Sequence, residues 1–304
     1  MNKEASSQPL VSIVINCYNG EKYLKKAIDS VIAQSYKNWE IVFWDNQSID
    51  KSADIFKSYN DQRLNYYRAD KHTKILYKAR NFALKKTKGE FIAFLDVDDW
   101  WTPDKLKTQI PLFDRDDIGM VYGNAWLYLE KKAKKKIYRK SNLPTGMIAD
   151  HLLNDYSIGS PTYVIRKKTL ESLNYYFNDN FHIIGDFEIN IRIASKWKVN
   201  CVQAPIAFIR IHGKNESILK RELEISEMKI WYEEMLKNPI FSNLKNLYQF
   251  KKKFLYLEAM EFILKHEFKK SFLKVAKYPL CLKKIKLIIA LLLPKLLLKK
   301  IKNY

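Results

Sequence analysis

The sequence predicts an α/β fold with a mostly parallel central sheet, followed by a helical C-terminal extension. Three observations carry that prediction. Short β-branched runs alternate with amphipathic stripes from Leu10 to Leu95, the pattern of βαβ units. Each run ends in a polar, acid-rich segment, as strands do where a parallel sheet opens a ligand crevice. After His212 the pattern turns helical and strongly basic to the end of the chain.

Taken in order, Leu10 to Asn16 (Leu-Val-Ser-Ile-Val-Ile-Asn) suits a buried parallel strand. Glu21 to Gln34 places Tyr23, Leu24, Ala27, Ile28, Val31 and Ile32 at spacings of three and four, the stripe of a helix. Glu40 to Trp44 is a second strand, and Ser48 to Tyr59 a second helix with Ile49, Ala53, Ile55 and Phe56 inward. Arg63 to Arg68 reads as a strand, Ile75 to Lys86 as a helix capped by Gly89, and Glu90 to Leu95 as a fourth strand. Asp99 then reads as the N-cap of a helix over Trp100 to Lys107, with Pro103 in its first turn. Beyond it the alternation loosens. Gly119 to Glu130 suits a strand or hairpin arm and Lys131 to Lys136 a basic turn. Ser160 to Arg166 and Val199 to Ile211 read as strands, with Asp186 to Lys196 helical between them. A boundary falls near Asn215 to Lys220, giving an expected catalytic domain over 1–217 and a helical extension over 218–304.

Composition narrows the class. Of 304 residues, 47% are hydrophobic and 14% aromatic, with only 8 glycines and 9 prolines, which excludes disordered and collagen-like chains. Cys17, Cys201 and Cys281 are odd in number and far apart, so neither a disulfide framework nor a zinc spacing is expected. Met1 to Pro9 has no apolar stretch, so the expectation is a cytoplasmic enzyme without a secretory signal. The net charge of +21 points to a polyanionic partner. From Asn243 to Tyr304 there are sixteen lysines against Glu258, Glu261 and Glu267, more than half of the excess.

The sharpest chemical signal is Phe91-Ile92-Ala93-Phe94-Leu95-Asp96-Val97-Asp98-Asp99, three carboxylates within four positions at the end of an apolar strand. Carboxylates so crowded are costly unless a cation sits among them. A hard divalent ion, Mn²⁺ or Mg²⁺, prefers such oxygen ligands and would grip a diphosphate. No glycine-rich phosphate loop is present, which disfavours kinases and dehydrogenases.

Five blocks in order, Val11 to Asn19, Trp44 to Asp50, Ala79-Arg80-Asn81, Lys88-Gly89-Glu90 and Phe94 to Asp99, resemble the donor-binding half of family 2 glycosyltransferases. The resemblance is close over about the first 110 residues and thin to about residue 217. It implies the GT-A fold, a Rossmann-like nucleotide-sugar-binding sheet, and inverting transfer from a nucleotide-sugar donor, with a uridine diphosphate sugar favoured. It implies that Tyr18 stacks on the base while Asp45 and Asn46 hydrogen-bond it. The family usually has two aspartates there, and Asn46 replaces the second. Arg80 would counter the diphosphate, Asp96 would touch ribose or metal, and Asp98 would ligate the metal. Ile184 to Arg192 resembles the block carrying the catalytic base, which matches Asp186. The family often has Glu before it, where this chain has Gly185, and Glu188 is the second candidate. Arg210 to Ser217 resembles the segment after the last catalytic strand in some members, which would let His212 reach the metal and Lys214 the diphosphate.

The expected partners are therefore a nucleotide sugar and a glycan or lipid-linked acceptor of cell-surface polysaccharide or lipopolysaccharide synthesis. Leu287 to Leu298 is broken by Pro294-Lys295 well short of the roughly 20 apolar residues of a membrane span. With its flanking lysines it is expected to lie on the inner face of the cell membrane, against anionic lipid, with 269–304 as the docking segment. Two rivals are weaker. A nucleotidyltransferase would want a glycine- and lysine-rich loop where Tyr18-Asn19-Gly20-Glu21 stands. A nucleic-acid-binding protein would spread its charge over a groove, so no nucleic acid is expected.

Overall fold

A computed structural model describes residues 8–293. The chain divides into two compact units, one ending at Asn215 and the other beginning at Glu216.

In the first unit, β1 (Val11–Cys17), α1 (Glu21–Ile32), β2 (Trp39–Asp45), α2 (Ser52–Lys57), β3 (Leu64–Arg68), α3 (Leu76–Leu84) and β4 (Phe91–Phe94) alternate as the sequence predicts. Strand β1 lies parallel between β2 and β4, and β3 extends the sheet beyond β2. Its β-branched residues are buried on both faces. Val11, Ile13, Ile15 and Cys17 share one core cluster with Leu24, Ala27, Ile28 and Val31 of α1, while α3 packs on β1 and β2 without joining that cluster. Helices thus cover both faces, which leaves the carboxyl ends of the strands as the edge where such a sheet binds its ligand.

The second half is woven differently. It comprises β5 (Trp100–Trp101), α4 (Lys105–Gln109), β6 (Ile118–Leu129), β7 (Lys134–Ile137), α5 (Ala149–Asn154), β8 (Val164–Arg166), α6 (Lys167–Glu171), α7 (Gly185–Lys196) and β9 (Lys198–Ile211). The sheet order is β3-β2-β1-β4-β8-β6-β9-β5, with β7 on β6. Strand β8 runs antiparallel between β4 and β6, whereas β6 and β9 are parallel.

Five local expectations change. Of the basic turn Lys131 to Lys136, Lys134 to Lys136 belong to β7 and pair antiparallel with Leu129, Tyr128 and Leu127 of β6. Trp100 and Trp101 pair with Phe208 and Ala207 as a strand, so the helix starts only at Lys105 and Asp99 caps nothing. Ring stacking of Trp100 on Phe208, 4.7 Å between centroids, outweighs the local helix signal. Gly89 is not a helix cap; α3 ends at Leu84, and a Cβ at position 89 would stand 2.6 Å from the Ser12 backbone nitrogen. Its own N–H donates to Ser12 Oγ at 2.7 Å, which in turn donates to Glu40. The second helix begins at Ser52 rather than Ser48, because Gln47 takes a φ of 68° and Asp45 closes the turn through the Ser48 N–H at 2.7 Å. Of Ser160 to Arg166 only Val164–Arg166 is strand; Ser160–Thr162 is a single 3-10 turn around Pro161.

The second unit contains α8 (Glu216–Leu219), α9 (Arg221–Leu236), α10 (Pro239–Ser242), α11 (Leu247–Leu264), α12 (Phe268–Lys277) and α13 (Leu282–Leu292). Its core joins Ala259, Ile263, Val275, Tyr278, Leu287 and Ala290. Among the described residues no helix is long and apolar enough to cross a membrane.

Candidate active site

The turns that end β1 and β2 brace each other. Asn19, at φ 54°, accepts the Ile49 N–H on Oδ1 at 2.9 Å and donates its own N–H to Ser48 Oγ at 3.1 Å. Asp50 accepts the Glu21 N–H at the start of α1, and Glu21 accepts the Lys51 N–H in return. A positive φ at Asn19 and Gln47 is uncommon for residues with a Cβ, and these side-chain bonds over-determine it. The segments Asn16 to Asn19 and Asp45 to Ser48 thus share one crevice.

At one end of the crevice the groups are mostly neutral. Asp45 is fully buried and accepts from the Ser48 N–H and, at 2.6 Å, from the Tyr66 hydroxyl. Burial and then that bond push the Tyr66 phenol up to about 12. Both ends of the Asn46 amide go to one residue: Nδ2 donates to Thr73 O at 2.7 Å, and Oδ1 accepts from Thr73 N at 3.0 Å. The loop after β3 is thereby clasped, and His72 lies with its ring 4.3 Å from that of Tyr18, which is 51% exposed.

At the other end the groups are charged. Arg80, on α3, is 2% exposed and lies between two carboxylates: Nη2 pairs with Asp96 and Nη1 with Asp186 at 2.7 Å. Burial opposes its charge, but Asp186 and then Asp96 outweigh burial and hold the guanidinium ionised. Asp186 stands in the first turn of α7, and its Oδ1 also accepts from the Tyr163 hydroxyl at 2.8 Å. Burial, and then Asp186, keep that phenol protonated well above its usual range. Gly185 explains itself here: a Cβ on it would meet the Tyr77 ring at 2.3 Å, so the ring occupies the space a preceding glutamate would need. Glu188 is sealed into a buried pair with Arg192 and accepts from Tyr175, so it is not available as a base.

The remaining acids line the wall formed with β9. Asp99 is buried and accepts the Arg210 N–H at 2.8 Å. Burial, then Asp98 and Asp96, push its carboxyl far up. Asp98 is also raised, by burial first and then by Asp96, while His212 pulls the other way. His212 Nε2 lies 2.9 Å from Asp98 Oδ2, and Nδ1 accepts the Lys214 N–H, so Nε2 carries the proton and donates to Asp98. Among the described residues no three His, Cys, Asp or Glu side chains are grouped as a ready ligand set. The fit for a divalent cation is therefore Asp98 with His212 beside it; a carboxylate whose ionisation is suppressed by its neighbours is what a cation would relieve. Ligation by Nε2 of a neutral imidazole requires the ring proton to move to Nδ1, which then no longer accepts the Lys214 N–H.

Of the residues singled out in the sequence, Arg80, Asp96 and Asp186 form one connected group, and Asp98 with His212 a second. Tyr18, Asp45 and Asn46 stand at the carboxyl ends of β1 and β2, on the same edge of the sheet as Asp96 after β4. Arg80 is enclosed by carboxylates and aromatic rings rather than presented to solvent. Sequence reasoning passed over Tyr163, Tyr77 and His72. Tyr163 precedes β8 and meets Asp186 only because β8 returns antiparallel to β4, a pairing no local pattern announces.

Comparison with known proteins bears on this site. The profile described as Glycosyl transferase family 2 matches residues 12–175, more than half of the chain. A curated relative, the Escherichia coli UDP-Glc:alpha-D-GlcNAc-diphosphoundecaprenol beta-1,3-glucosyltransferase WfgD, is 34% identical over 168 residues. That match covers 55% of this chain and 64% of the relative's length. Among solved structures, Staphylococcus aureus TarS 1-349 in complex with UDP-GlcNAc superposes with a TM-score of 0.65 at 20% identity, over 88% of this chain and 80% of that one. The Pyrobaculum calidifontis mannosyltransferase PcManGT, in complex with GDP-Man and Mn²⁺, gives a TM-score of 0.64 at 14% identity, over 98% and 85%. At these identities the two structures establish a common architecture, the GT-A fold.

Proposed function

The chain belongs to glycosyl transferase family 2, and on that premise we propose that it is an inverting, metal-dependent glycosyltransferase moving a sugar from a uridine diphosphate donor to a hydroxyl of a glycan or lipid-linked acceptor. Family membership stands against the nucleotidyltransferase and nucleic-acid-binding readings. The observation that carries the proposal is the bridge Asp96–Arg80–Asp186, which joins the carboxylate proposed for the donor side to the one proposed as base. With Oδ1 held by Arg80 and Tyr163, the second oxygen of Asp186 is left to accept the acceptor's proton. The acceptor oxygen then bonds to the anomeric carbon as the bond from that carbon to the diphosphate oxygen breaks on the opposite face. Asp98, oriented by His212 and with Asp96 nearby, would hold Mn²⁺ or Mg²⁺, which supplies positive charge against the departing diphosphate. Replacing Asp186 by Asn is expected to lower turnover by about 10²–10⁴-fold with donor affinity unchanged. Near-normal turnover in that variant, or product of retained configuration by NMR, overturns the assignment of the base. Full activity in excess chelator overturns the metal.

The second unit supports work at a membrane surface, the cytoplasmic leaflet in this reading. Leu287 and Ala290 of α13 face its own core, while Leu282, Ile285, Ile288, Ile289 and Leu292 form an exposed stripe on the opposite side. From Phe268 to Leu293 there are seven lysines and no acid. An apolar stripe flanked by cations is complementary to an anionic bilayer, each lysine there contributing about 1 kcal/mol. Residues 294–304 of the anticipated docking segment lie outside the described residues. Sedimentation of the full chain with phosphatidylglycerol vesicles at low salt tests this, and replacement of Ile285 and Ile289 by Glu, which removes apolar contact and adds repulsion, is expected to release it.

A further inference from the structure

The base-reading role expected of Asn46 is chemically spoken for, since its amide donates to and accepts from Thr73. The bond network points to a replacement. His72 Nδ1 lies 3.0 Å from the Asn46 backbone carbonyl oxygen, and a carbonyl can only accept. Nδ1 therefore carries the ring proton, and the longer 3.4 Å approach of Asn46 Nδ2 is not a hydrogen bond in this tautomer. In the neutral imidazole Nε2 is then left as an acceptor. His72 is exposed, and its ring lies against Tyr18, the expected stacking platform for the nucleobase.

We infer that His72 is the base-specificity residue of the donor site, its Nε2 accepting the N3–H of a uracil stacked on Tyr18. The inference rests on the uridine diphosphate donor proposed above. An acceptor at this point matches a base whose ring nitrogen bears a proton, as uracil does. It opposes cytosine, whose N3 is itself an acceptor and would leave two lone pairs facing each other. The duty ordinarily given to a second aspartate at the end of β2 passes to the loop after β3, and Asn46 acts through that loop as a positioning residue.

Titration calorimetry on the full chain with Mn²⁺ tests it, using UDP, CDP and N3-methyl-UDP. The wild type is expected to bind UDP about tenfold or more tightly than N3-methyl-UDP or CDP. In His72→Ala the ratio between UDP and N3-methyl-UDP is expected to fall close to one. In His72→Gln, whose amide oxygen reaches about as far as Nε2, part of it returns. A wild type that binds UDP and its N3-methyl derivative equally, or a His72→Ala variant that keeps the wild-type ratio, overturns His72 while leaving the uridine donor intact. Failure of the wild type to bind UDP or any UDP-sugar overturns the donor reading and His72 with it.

Discussion

The two ends of the crevice are built on different physics. At the base end, an amide, a phenol and an imidazole hold loops through hydrogen bonds, two between the Asn46 amide and Thr73 and one from His72 to the Asn46 carbonyl. At the charged end, a buried guanidinium is balanced between Asp96 and Asp186. A neutral hydrogen bond contributes about 1 kcal/mol net, whereas removing one member of a buried ion pair strands the others and costs about 3–5 kcal/mol. The difference teaches that the base end can change partners at modest cost. The charged end has little such freedom, and with the proposed roles the crevice joins a tunable recognition surface to a fixed reaction centre.

Substitutions can break or sharpen that contrast. The largest effect is expected from Arg80→Met, which leaves Asp96 and Asp186 without their shared cation. A loss of about 3 kcal/mol corresponds to a fall in Tm of about 6–12 °C for a unit of this size, with activity abolished. A variant melting within 2 °C of wild type, roughly the effect of about 1 kcal/mol, would show that the charged end is no more committed than the base end. Tyr163→Phe comes next. It removes one of the two donors to Asp186 Oδ1 but keeps the packing. Turnover is expected to drop by about tenfold with donor affinity nearly constant, and Tm to fall by less than in Arg80→Met, since one hydrogen bond to a charged acceptor is at stake. A change in donor affinity instead of turnover would place Tyr163 in recognition. The smallest effect is expected at Asn46→Ala, which frees Thr73 and with it the His72 loop. About 2 kcal/mol of stability at most, for the two bonds to Thr73, and a few-fold of UDP affinity should be lost, read by thermal melting and calorimetry. A loss as large as that of Arg80→Met would erase the distinction between the two ends.

How far the sequence reached follows the same division. Strands β1 to β4 were legible because parallel strands buried on both faces read as continuous β-branched runs, and their helices carry a local period. Asp96, Asp98, Arg80 and Asp186 were picked out by type and by resemblance, and in the structure Arg80 joins Asp96 to Asp186. What escaped was partnership: which donor each carboxylate accepts from, and which face each residue turns to.

By itself, then, the sequence determined the α/β alternation, the crowding of acids at the end of β4 and the basic, apolar character of the helices after Asn215. All of these are written in short spans of chain where spacing and residue type suffice. Tertiary structure alone decided that Trp100 and Trp101 form a strand, that Tyr163 reaches Asp186, that Gly185 makes room for Tyr77 and that Asn46 is occupied by Thr73. Each joins residues well separated in the chain. Close packing and the pairing of buried polar groups are satisfied over the whole fold at once, and no local pattern encodes them.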